Sequence, residues 1–171
     1  MTFNTFKTEF GLLIRTAREI KGYHLDDLGF ESDIVYDNIQ KIETATYGGF
    51  QILTYAKLLK GLDVGLSFEP RDKQKDNVYI SPEMKNFLNT LFLKLPADPD
   101  FQFLNHNGAK LLQKLGDEVR ILRNKTGLSQ KELAKRVQMS NTTLSRIESG
   151  HYDFRLETLY HLSQFLLEKE N

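Results

Sequence analysis

The eight residues Asn141–Glu148, NTTLSRIE, bring together side chains that can read the edge of a nucleobase. An asparagine amide can bond adenine in two places, an arginine fork can bond guanine, and a threonine can touch the thymine methyl group. At helical spacing Asn141, Thr142, Ser145 and Arg146 share an outer, acid-poor arc, while Leu144 and Ile147 point the other way. The chemistry is recognition through hydrogen bonds, with no bond made or broken. Lys131, Lys135, Arg136 and His151 lie close in sequence. Side chains of that kind can grip phosphates and set register without reading sequence.

Such a helix must be held at an angle by its neighbours. Ser129 and Glu132 form a capping box that starts a helix over Gln130–Val137. Leu133, Ala134 and Val137 fall on its inner face. Ala134 leaves room for a steep crossing that a larger side chain would block. Ser140 caps the next helix, Asn141–Ser149. Helices over Gly108–Lys125 and Leu156–Leu166 complete a compact helical domain.

The chain carries this pattern twice. A shift of 105 residues places Arg18, Gly22, Leu28, Ile39, Ile42 and Glu43 on Arg123, Gly127, Leu133, Leu144, Ile147 and Glu148. Gly29 takes the tight position of Ala134. Apolar matches arise between any two amphipathic helices, but Arg, Gly and Glu in one register point to a duplicated fold. The first copy spans residues 1–69 and opens with the apolar stripe Phe3, Phe6, Phe10 and Leu13. Its end, Val64–Phe68, alternates like a short strand. Residues 70–106 form a linker that contains an amphipathic helix over 82–95, either packed on a domain or used for dimerisation. The second copy spans residues 107–171.

Composition narrows the classes. The 171 residues hold 23 basic and 23 acidic side chains, so no global charge draws the chain to a polyanion. Local charge does differ: Lys110–Arg155 carries ten Lys/Arg against five Asp/Glu, whereas Gly11–Glu69 carries six against nine. The absence of cysteine excludes disulfides and thiolate metal sites. His24, His106, His151 and His161 show no ligand spacing, and no hydrolase, metalloprotease or phosphate-loop motif is present. The expectation is a non-enzymatic cytoplasmic protein with no cofactor or metal. Neither a membrane span nor a secretory leader is found.

Residues 117–166 resemble the Cro/CI/Xre family of helix-turn-helix repressors, through LSQKELAKRVQMSNTTLSRIESG and the later LETLYHLSQFL. The resemblance implies an all-α protein of two tandem lambda-repressor-like helix-turn-helix domains, the first faint. It implies base reading by Asn141, Thr142 and Arg146, and base or backbone contact by Thr143 and Ser145. Gln130, Lys131, Lys135, Arg136 and His151 would hold phosphate. Arg123 and Glu148 would form an internal ion pair, repeated as Arg18 and Glu43. The implied function is sequence-specific binding of double-stranded DNA as a transcriptional regulator, and recognition by so small a module favours a homodimer on an inverted repeat.

The first copy departs from this pattern. It has Leu25, Asp26 and Asp27 in place of Gln130, Lys131 and Glu132, and Tyr36 and Asp37 in place of Asn141 and Thr142. Acids there repel phosphate. Residues 1–69 are therefore expected to dimerise the protein, bind a ligand or bind a protein partner. The alternative function is that of an antitoxin or accessory protein whose main partner docks on this copy. Both copies also lack the family's usual glycine at the turn, where Gln138 and Asp33 stand.

Overall fold

The computed structural model describes residues 2–47, 49–62 and 108–167. The expected strand at Val64–Phe68 and the amphipathic helix over 82–95 lie outside these residues. The chain divides into two compact units, Met1–Pro99 and Asp100–Asn171. The described residues form eight α-helices and no strand ladder: all-α, as the periodicity requires.

In the first unit α1 spans Phe3–Ile20, α2 Leu25–Ser32, α3 Tyr36–Glu43 and α4 Ile52–Gly61. Thr2 caps α1 by accepting a hydrogen bond from the Thr5 amide at 3.2 Å. The phenylalanine stripe of α1 supplies the centre of the core. Phe6 and Phe10 stack with centroids 6.1 Å apart, and Phe10 meets Tyr55 of α4 edge-on at 5.3 Å. Leu28, Ile39 and Ile52 close around them without exposure. Removal from water pushes the Tyr55 hydroxyl well above its ordinary pKa.

In the second unit α5 spans Ala109–Lys125, α6 Gln130–Arg136, α7 Asn141–Glu148 and α8 Leu156–Leu167. Leu115, Val119, Leu133, Leu144, Ile147 and Leu159 are fully buried. The α5 helix packs on both α7 and α8, and α6 packs on α7. The hairpin of α6 and α7 therefore rests on α5 and leaves its far side to solvent.

Within each unit the helices follow one order and share local details at the 105-residue offset. The closest approach is at a glycine. A Cβ on Gly116 of α5 would collide with the Ile147 carbonyl oxygen, and one on Gly11 of α1 with that of Ile42. Both turns after the second helix pass through the left-handed region, at φ 55° for Gln138 and 55° for Asp33. A non-glycine residue costs about 1 kcal/mol there, which a small domain tolerates. The turn closes through the amide of Met139 on the Ala134 carbonyl at 2.9 Å, and through that of Ile34 on Gly29 at 3.1 Å.

Candidate nucleic-acid interface

Two serines aim the hairpin. Ser129 Oγ accepts from the Glu132 amide at 3.3 Å, while Glu132 Oε2 accepts from the Ser129 amide at 2.8 Å. The Ser129 hydroxyl, and then its amide, hold the Glu132 carboxyl below its ordinary pKa. Ser140 Oγ accepts from the Thr143 amide at 2.9 Å and fixes the first turn of α7. The same hydroxyl meets the Thr143 hydroxyl at 2.7 Å, so Thr143 is partly withdrawn from the surface.

The far end of α7 is fastened by a buried ion pair. Arg123 donates from Nε to Glu148 Oε1 at 2.6 Å and from Nη2 to Oε2 at 3.0 Å, and Nη1 reaches the Leu128 carbonyl at 3.0 Å. The two side chains are only 12% and 5% exposed. One guanidinium thus joins the end of α5, the entry to α6 and the end of α7. Glu148 raises the pKa of Arg123 further, chiefly through the hydrogen bond. The first unit repeats the tie, with Arg18 donating to Glu43 at 2.6 and 2.9 Å and to the Tyr23 carbonyl at 2.7 Å.

Gln130 enters the same network. Its Nε2 donates to Glu148 Oε2 at 3.1 Å, and the side chain is only partly exposed. The structure thus shows Gln130 in an internal bond, a partner that sequence reasoning, which considered only a phosphate for it, did not supply. Two other residues were missed. Gly116 sets the distance between α5 and α7, and its identity with Gly11 at the repeat offset was the available signal. Tyr152 lies under Arg146, whose guanidinium carbon is 5.1 Å from the ring centroid. No spacing rule announces that stack, because Tyr152 follows the helix in an irregular loop.

Once the caps and the ion pair fix α7, its surface follows. Leu144, Ile147 and Glu148 are buried, and Asn141, Thr142, Ser145 and Arg146 are exposed within an arc of about 140°. Lys131, Lys135, Arg136 and His151 are also exposed. His151 Nδ1 lies 3.0 Å from the Ser149 hydroxyl. A convex polar helix flanked by cations, with no acid on its outer arc, suits the major groove of duplex DNA.

Residues 119–167 match the helix-turn-helix family model, and this segment is a helix-turn-helix of the Cro/CI/Xre type. Helix-turn-helix segments of this type occur in DNA-binding regulators. The match does not extend to the first unit. No curated protein and no solved structure matches the chain. Among the described residues no helix is long and apolar enough to cross a membrane, and no group of three or more His, Asp or Glu is placed to hold a metal ion.

Proposed function

We propose that the protein is a transcriptional regulator that recognises a specific duplex sequence by inserting α7 into the major groove. Asn141, Thr142 and Arg146 read base edges, and Ser145 and Thr143 contact bases or backbone. Gln130, Lys131, Lys135, Arg136 and His151 hold the flanking phosphates, and Gln130 also braces the junction through Glu148. The observation that carries this reading is the exposed arc of α7, borne on a helix capped by Ser140 and tied down through Glu148. One module touches few base pairs. Two copies on an inverted repeat, about 34 Å apart along the duplex, give the affinity that a single one lacks.

The first unit contributes no base reading in this scheme. Asp26, Asp27 and Asp37 stand exposed where phosphates would approach. Selection of bound duplexes from a random pool by the full chain tests the proposal. An enriched inverted repeat supports a dimeric regulator. A lone half-site removes the dimer from the scheme, and a folded protein that enriches nothing removes sequence recognition altogether.

A further inference from the structure

The surface proposed to meet DNA in the second unit has a far more acidic counterpart in the first. Residues 127–146 contain four Lys/Arg and one acid, whereas residues 22–41, at the repeat offset, contain five acids and one lysine, Lys41 in the place of Arg146. Four positions differ in kind, with Asp26 for Lys131, Phe30 for Lys135, Glu31 for Arg136 and Tyr36 for Asn141, while Asp27 and Lys41 keep the charges of Glu132 and Arg146. Loss of DNA binding alone would predict a bland polar face. The face is instead apolar as well as acidic. Phe30 is 87% exposed, Val35 64% and Tyr36 50%. A single exposed ring is ordinary, but three exposed apolar side chains within seven residues add up on one turn.

These side chains are borne on neighbouring elements. The Tyr36 amide is 3.9 Å from where a Cβ of Gly29 would be, so the start of α3 abuts α2 beside Phe30. Asp26 and Phe30 are one helical turn apart on α2, and Leu28 and Ser32 occupy its buried side. The acids around the patch are exposed, and of them Asp33 alone forms a salt bridge among the described residues, with Lys57 at 2.9 Å. Asp27 is used at the helix start, where it accepts from the His24 amide at 2.7 Å. Asp26, Glu31 and Asp37 are exposed acids on the same two helices and form no salt bridge among the described residues.

We infer that the turn between α2 and α3 is a docking surface for a basic, apolar segment of another protein, which places an aliphatic or aromatic side chain on Phe30, Val35 and Tyr36 and lysines or arginines against Asp26, Glu31 and Asp37. Charge complementarity selects this occupant. A nucleic acid is repelled, an acidic segment is repelled, and a neutral one leaves these acids unmatched. The inference is independent of base reading by α7.

Peptide display against the full chain tests it, using a random linear library and two counter-targets. One is Phe30→Ser with Tyr36→Ser, and the other is Asp26→Asn with Glu31→Gln and Asp37→Asn. All five positions are exposed, and thermal melts verify that the variants stay folded. Peptides that combine Lys/Arg with Leu, Ile or Phe should be enriched on the parent protein and bind each variant at least tenfold more weakly. The parent and the first variant should lose them steeply as salt rises, and the charge-neutralised variant far less. Enrichment of acidic or uncharged peptides, or of basic ones that the variants bind equally well, overturns the inference. So does the absence of any peptide that separates parent from variants. A parent dimer that the first variant converts to monomer would assign the patch to a second copy of this chain and also overturn it. DNA binding by the variants should match the parent, which keeps this outcome separate from that of the base-reading proposal.

Discussion

Arg123→Ala removes a side chain that joins three elements of the second unit. Glu148, 5% exposed, would keep only the 3.1 Å bond from Gln130, and its Oε1 would lose its donor. The Leu128 carbonyl would lose its 3.0 Å donor as well. Breaking a buried ion pair from one side costs about 3–5 kcal/mol, because the surviving charge stays desolvated. Partial exposure of the arginine stem and the remaining Gln130 bond favour the lower end, about 3 kcal/mol. For a domain this small each kcal/mol moves the midpoint by about 4–8 °C, so the second unit should melt at least about 12 °C earlier. Calorimetry of the full chain can follow this, with Arg18→Ala as the parallel probe of the first unit. Arg123→Met combined with Glu148→Leu should regain most of the loss, since no unpaired charge is left behind. A single variant within about 0.5 kcal/mol of the parent, the range of ordinary surface substitutions, would refute the role given to this pair.

Further outcomes follow from the same geometry. Gly116→Ala drives a methyl group into the Ile147 carbonyl oxygen and should cost about 1–3 kcal/mol, and an unchanged chemical-denaturation midpoint would count against the tight α5–α7 approach. Tyr152→Ala frees the Arg146 guanidinium and should weaken discrimination at one base pair, while Tyr152→Phe keeps the ring and the preference; equal behaviour of the two variants in a competition assay would dismiss the stack. The Glu132 carboxyl has a folded pKa below its ordinary 4.5, so its stabilisation is present above that value and is lost as pH falls through the folded one. The melting difference between parent and Glu132→Gln should therefore shrink in acid, and a difference that stays constant from neutral pH to pH 3 would contradict the cap.

Much of this was legible in the residues because the signals are local. Ser129, Glu132 and Ser140 sit where helix starts need acceptors, and they fix the bounds of α6 and α7 to within a residue. The alternation of Leu144 and Ile147 with Asn141, Ser145 and Arg146 fixes which face is dry. What was not legible depends on distance in three dimensions. The Gln130 amide finds Glu148 only after α6 and α7 have crossed, and no spacing of 18 residues encodes that contact. Gly116 repeats Gly11 at the 105-residue offset, but only the collision with Ile147 shows why a side chain is absent there. The Arg146–Tyr152 stack depends on the path of a loop, where periodicity has no hold.

The most direct test is a binding comparison at fixed salt between the parent, Asn141→Ala and Arg146→Ala. Each would be measured on the selected duplex and on duplexes substituted at one base pair at a time. Each replacement should cost about 1–3 kcal/mol on the selected site and relax the preference at a single base pair, leaving the others intact. An equal loss on every duplex would reduce these side chains to phosphate contacts and contradict base reading by α7.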